Sequence, residues 1–227
     1  MLEITNTSLW LVVIKEKNNM SKFLNANKVL CLSPHPDDIE YGALGIMYKF
    51  QDTEFDLITI SIGGKFDSTS GTNRFNECNS IWGELPNVKG SFLLEDHTIN
   101  FGYDQLVHMI ETKHDISKYD LILLPPEEDT HHDHIKINIV GKALTRKERC
   151  GIVDYKTPST LETWIPNHFV DVTDFLDTKI NQLHKFKTQS KHLYFTDDVI
   201  KSFHTNYQCS RRGLGYVEMF KIHRLYN

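Results

Sequence analysis

Two short segments of this chain concentrate imidazoles and carboxylates beside prolines. One reads Pro34-His35-Pro36-Asp37-Asp38-Ile39-Glu40, the other Pro126-Glu127-Glu128-Asp129-Thr130-His131-His132-Asp133-His134. Histidine nitrogen and aspartate oxygen are donors suited to a catalytic divalent metal, which takes three protein ligands and keeps one position open. The candidates His35, Asp37, Asp38, His131, Asp133 and His134 exceed that need. The surplus suits hydrolysis, because a base must take a proton from water and a donor must hold the developing oxyanion. Neighbouring side chains on one turn cannot both face one ion, so of Asp37 and Asp38 one would ligate and the other would work as base. A closed structural site is usually cysteine-rich, whereas Cys31, Cys78, Cys150 and Cys209 are scattered.

Each segment follows an apolar run of strand type, Lys28–Ser33 before the first and Tyr119–Leu124 before the second, and proline stops both. Roughly a hundred residues separate His35 from His134, far beyond the spacing of a local metal loop. Only tertiary folding can join them. A doubly wound sheet does so, because its first and fourth strands are neighbours at the topological switch point, where ligands bind beyond the strand ends. The remaining pattern agrees: helix at Tyr41–Phe50, strand at Asp56–Ile62, helix at Arg74–Leu85, strand at Phe92–Leu94, helices at Tyr103–Ile110 and Ile135–Leu144. This predicts an α/β, Rossmann-like, mainly parallel sheet with helices on both faces. Past Cys150, strands at Gly151–Tyr155 and Phe169–Val172 and a helix at Asp174–Phe186 precede a mixed end, expected to be a C-terminal cap on the same single domain. Gly63-Gly64-Lys65 predicts a sharp turn near the switch point, where a missing Cβ lets backbone approach a ligand.

The paired motifs resemble those of the PIG-L/LmbE superfamily of zinc-dependent N-acetylglucosaminyl deacetylases, with His-Pro-Asp-Asp-x-Glu after the first strand and His-Pro-Asp-His after the fourth. The resemblance implies one zinc per chain, another divalent metal being possible, on His35, Asp38 and His134, with Asp37 as general base. It also implies His131 as the oxyanion-stabilising imidazole, Asp133 as the carboxylate supporting it, and Arg74 and Asp96 as substrate contacts. Gly42, Gly45, Glu77, Lys179, Gln189, Phe169–Thr173 and Tyr216–Phe220 match further blocks, so the similarity runs from Asn27 to Phe220. Three departures stand out: His132 replaces the usual proline, Leu44 occupies a common glycine position, and Gly63-Gly64-Lys65 lacks an acidic residue. The implied activity is removal of the N-acetyl group from an N-acetylglucosamine-type sugar or glycoconjugate, releasing acetate and free amine. A different metallohydrolase such as a phosphoesterase, or a non-catalytic sugar-binding module, is the alternative.

Plainer readings stand beside these roles. Asp37 could cap a helix, His131 and Asp133 could form a structural pair, Arg74 could pair with Glu77 at helical spacing, and Asp96 could merely end a strand. No role is assigned to His97, His114 or His132. At 227 residues and 40% hydrophobic content the chain suits one domain, read as residues 27–227 behind an extension at 1–26. A formal net charge of -5 argues against nucleic-acid binding, and Arg146-Lys147-Arg149 reads as a solvated helix end. Scattered cysteines suit a reducing compartment, so a cytoplasmic location is expected. The apolar run Ser8–Ile14 is too short to span a membrane and follows Glu3, not a basic region, so no span or signal peptide is expected. A small soluble amino sugar is the expected partner, and homo-oligomers are compatible with the sequence. The first strand-helix turn lacks the G-x-G-x-x-G of dinucleotide binding.

Overall fold

The structure is a computed structural model that describes residues 21–63 and 71–226. Its strands are β1 (Lys28–Ser33), β2 (Glu54–Thr59), β3 (Val88–Phe92), β4 (Leu121–Leu124), β5 (Gly151–Tyr155), β6 (His168–Asp171) and β7 (Val217–Arg224), in the sheet order β3-β2-β1-β4-β5-β7-β6. β1 to β5 pair in parallel, while β7 runs antiparallel to both β5 and β6. The helices are α1 (Asp38–Lys49), α2 (Gly71–Trp82), α3 (Tyr103–Lys113), α4 (His132–Leu144), α5 (Leu176–Leu183), α6 (Asp197–Phe203) and α7 (Tyr207–Ser210).

The central strands are apolar on both faces because both faces are covered. Side chains alternate across a strand, and in β1 Val29 and Cys31 join one core with α1 and α5, whereas Leu30 and Leu32 join another with α3 and α4. The same alternation divides Leu121 and Leu123 of β4 from Ile122 and Leu124. The four cysteines are free and buried.

α1 lies unusually close to the sheet. A Cβ on Gly42 would stand 2.5 Å from the Lys156 carbonyl oxygen, and one on Gly45 would stand 2.8 Å from Glu218 Oε1. Glu218 of β7 is itself buried, and its two oxygens accept the Gly45 and Ile46 N–H groups at 2.6 and 2.8 Å. Lys179 Nζ donates to the same carboxylate at 2.5 Å and lies 2.8 Å from His204 Nε2, so a buried ion pair fixes α1 against the C-terminal helices.

Two expectations change in detail. The third strand is Val88–Phe92, ahead of the expected Phe92–Leu94, because this edge strand is largely exposed and polar and carries a weak apolar signal. Leu93 and Leu94 still donate to the Thr59 and Ile60 carbonyls at 2.9 and 3.1 Å, continuing the pairing. The C-terminal part also does more than cap: β6 and β7 extend the sheet, and α5 to α7 follow or link them. Within the stretch read as an extension, Phe23 is fully buried against Phe50 and Phe220. Residues 1–20 of the expected extension and the Gly64-Lys65 half of the expected turn lie outside the described residues. No helix among the described residues is long and apolar enough to cross a membrane.

Candidate active site

β1 and β4 are neighbours, so the two motif segments meet beyond their carboxyl ends at the switch point. Leaving β1, Ser33 Oγ donates to the His35 carbonyl at 2.7 Å, and the chain turns into α1 at Asp37. Asp37 has φ 106°, a left-handed backbone for a residue that is not glycine, a conformation that costs roughly 1–3 kcal/mol and clusters at functional sites. The turn is held by the Asp37 N–H, which donates to Glu40 Oε2 at 3.2 Å, while Glu40 Oε1 accepts the Trp82 indole N–H at 2.7 Å. The N-cap position of Asp37 and a place in the cleft wall therefore coexist.

Asp38 joins the two motifs. Its Oδ2 lies 3.2 Å from His35 Nδ1 and its Oδ1 3.2 Å from His134 Nε2. The opposite ring nitrogens are also engaged: His35 Nε2 lies 3.0 Å from Asp133 Oδ2, and His134 Nδ1 lies 2.9 Å from Asp129 Oδ2. Each imidazole thus has one nitrogen turned inward and the other held by a carboxylate, the arrangement by which proteins orient metal-binding histidines. His35, His131 and His134 present ligand atoms within 4.8 Å of one another. Those three imidazoles, with the Asp38 carboxylate 3.2 Å from both His35 and His134, offer more than the three protein ligands that a divalent metal of zinc type takes in a catalytic site.

Charge follows the same contacts. Burial opposes protonation of His35, but the bonds to Asp133 and Asp38 outweigh it and push the ring up to about 9. Burial likewise opposes protonation of His134, and Asp38 with Asp129 carries it to about 10. Asp38 is held well below the carboxylate range despite its burial, chiefly by His134. Asp37 moves the other way: burial and the Asp38 charge raise its carboxyl well above the ordinary value, against the pull of Arg74 and His35.

The expected pairing of Asp133 with His131 takes a different form. Neighbours two apart on a helix do not face each other, and the Asp133 carboxylate goes to His35, while only its backbone N–H donates to His131 Nδ1 at 3.2 Å. That bond leaves the proton of neutral His131 on Nε2. Burial and the charges of His35 and His134 hold His131 below its ordinary value. Its ring stacks on His134 at 4.8 Å and 21°, and it lines the cleft while His132 does not.

The cleft has a volume of about 440 Å³. Arg74 of α2 is buried in its wall, so tightly against Gly63 (φ 63°) that a Cβ there would meet Nη1 at 2.3 Å. The Gly63 carbonyl accepts from His97 Nδ1 at 2.5 Å, which brings His97 and Thr98 to the wall. Asp96 is not brought there: it is exposed and its Oδ1 accepts the Thr98 N–H at 3.3 Å. Residues that the motifs did not single out complete the site, namely Tyr41, Pro158, Ser159, His192 and Tyr194, with Gln189 from a matched block. Asp129 was also missed. It is buried, its Oδ1 accepts the His131 N–H at 2.8 Å, and its Oδ2 accepts from Thr157 Oγ1 at 2.6 Å besides meeting His134. Three consecutive acids precede Thr130, and only the fold separates them: Glu127 pairs with Lys142 and Glu128 with Lys221.

No family model matches the chain. It is 24% identical over 202 residues to the diacetylchitobiose deacetylase of Thermococcus kodakarensis, covering 78% of this chain and 73% of that protein. Its fold is similar to that of the N,N'-diacetylchitobiose deacetylase of Pyrococcus horikoshii, with a TM-score of 0.67, 21% identity, and coverage of 91% of this chain and 87% of that one. It is also similar to the 4-carboxy-2-hydroxymuconate hydratase of Pseudomonas putida KT2440, with a TM-score of 0.69, 14% identity, and coverage of 88% and 98%. Sheet order and these likenesses agree that the chain has the mainly parallel α/β fold of these proteins, the fold that the resemblance of its paired motifs implies.

Proposed function

We propose that this chain is a zinc-dependent N-deacetylase that hydrolyses the linear amide of an N-acetylglucosamine-type amino sugar to acetate and a free amine. The observation that carries this reading is the convergence of His35, Asp38 and His134 around Asp38's two oxygens, with Asp37 beside them in the same cleft. His35, Asp38 and His134 would hold the ion. Zinc, when bound, supplies a Lewis acid that polarises an acyl oxygen and lowers the pKa of water toward about 7.

The chain's own residues account for the remaining chemistry. Asp37 accepts a proton from the attacking water, and its raised pKa suits both that step and return of the proton to the departing amine. His131 donates its Nε2–H to the developing oxyanion as a neutral imidazole. Asp129 and Asp133 keep His134 and His35 in one tautomer. Arg74 donates to substrate hydroxyls or a phosphate, with His97 and Thr98 taking the place expected of Asp96. Four free, buried cysteines are in keeping with a reducing compartment such as the cytoplasm.

Zinc-loaded and chelator-treated protein should be screened against N-acetylated sugars for released primary amine. Release by the zinc-loaded protein alone is expected. No amine from any N-acetylated sugar would reject the reading, since the fold is also that of a protein named as a hydratase. A shared fold does not choose between such chemistries.

A further inference from the structure

The cleft wall includes a face that the deacetylase chemistry leaves unused. His192 and Tyr194 stack with ring centroids 5.2 Å apart and planes 17° from parallel. Both line the same cleft as Asp37, Asp38 and Arg74, and both are partly exposed. Between them Leu193 is 80% exposed and turned to solvent, while the one-turn 3-10 helix Leu193–Phe195 leaves His192 and Tyr194 in the cleft wall.

This segment is held rigidly. The Tyr41 hydroxyl donates to the Tyr194 carbonyl at 2.6 Å, and the Phe195 N–H donates to the His192 carbonyl at 3.0 Å. Phe195 itself is buried in the core. The Tyr194 ring meets Tyr41 edge-on at 6.0 Å. Burial and the charges of Asp37 and Asp38 raise the Tyr194 hydroxyl above its ordinary value, as expected of a side chain sharing the space of the acid pair.

Resting on the deacetylase reading, we propose that the stacked His192–Tyr194 pair is a sugar subsite that takes the apolar C–H face of a pyranose ring, selecting cyclic amino sugars over acyclic N-acetyl compounds. A pyranose carries polar hydroxyls around its rim and apolar C–H bonds on its faces. The cleft supplies both matches, with Arg74, His97 and Gln189 for the rim and aromatic surface for the face. The electron-rich face of an aromatic ring attracts such C–H groups, and rings packed on one another and, for Tyr194, against Tyr41 and Phe195 lose less freedom on binding than unsupported ones. An acyclic acetamide presents no flat apolar face and gains nothing from the pair.

The test is titration calorimetry of zinc-loaded Asp37→Asn protein, used so that turnover does not consume the ligand, with N,N'-diacetylchitobiose and with N-acetylethanolamine as acyclic comparator. Adding Tyr194→Ala or His192→Ala should weaken disaccharide binding about tenfold and leave the comparator unchanged. Adding Tyr194→Phe should stay within about twofold, because the face and not the hydroxyl carries the contact. The Tyr41 anchor survives each change, since Tyr41 binds the backbone carbonyl. Unchanged disaccharide affinity in both alanine variants, or an original affinity no better than the comparator's, would overturn the subsite. Failure to release acetate from any sugar, with this binding pattern intact, would instead reject the deacetylase reading and leave the subsite standing.

Discussion

At the scale of single residues, Asp129 and Asp133 decide which nitrogen of each histidine turns inward. Asp129→Asn should weaken zinc affinity by about 10- to 100-fold, the usual loss when a group orienting a metal-binding histidine is removed, as read by competition with a chelating dye. His131→Ala should lower kcat and kcat/KM together by on the order of 10² to 10³, as for loss of an oxyanion donor, with zinc affinity nearly unchanged. His132→Pro should remain active. If His132→Ala abolishes zinc binding while His131→Ala is silent, the roles in the second motif must be exchanged. The raised values of His35 and His134 give a pH dependence. An entering metal must displace their protons, so zinc affinity should strengthen as pH rises toward about 9 to 10, with proton release visible as buffer-dependent heat. Affinity that is flat across neutral and mildly alkaline pH would contradict this account. At this scale the motif residues were legible because strand-end histidines and aspartates are conspicuous. Asp129 hid among three adjacent acids, and Thr157, His192 and Tyr194 reach the site through the fold without any local spacing that marks them.

Among the elements, α1 presents Asp38 and begins at Asp37, and its seat depends on the buried Glu218–Lys179 pair. Glu218→Gln removes one charge and leaves Lys179 buried beside the neutral His204, whose burial keeps its pKa well below the ordinary value. Breaking a buried pair in this way should cost about 3 to 5 kcal/mol, measured by denaturant unfolding. A change below about 1 kcal/mol, the range of exposed pairs, would mean the pair does not hold α1. The same charges explain what was hard to read. β1 carries the unbroken apolar run Val29–Leu32 and β5 the pair Ile152-Val153, and both match the expected strands. β7 was not, because Glu218 interrupts its apolar pattern with a charge that is fully paired only in the folded chain. β3 was displaced because the paired residues Val88–Phe92 are mostly exposed and polar, while the more apolar Leu93 and Leu94 follow them.

Over the whole molecule, the switch point between β1 and β4 creates the cleft and the C-terminal segment walls it. The parallel half of the sheet was legible from strand and helix alternation, and with it the meeting of two motifs remote in sequence. The antiparallel extension was not, since nothing local distinguishes a sheet edge from a cap. The fold is shared with proteins described as deacetylases and as a hydratase, so the reaction must be decided at the site. Acetate released per bound zinc from N,N'-diacetylchitobiose, measured in parallel on the original chain and on Asp37→Asn, tests this most directly. The account predicts one zinc in each protein, acetate from the first, and a rate at least about 10²-fold lower in the second, the loss typical of a missing general base. Near-normal acetate release from Asp37→Asn, or none from the zinc-loaded original, would contradict it.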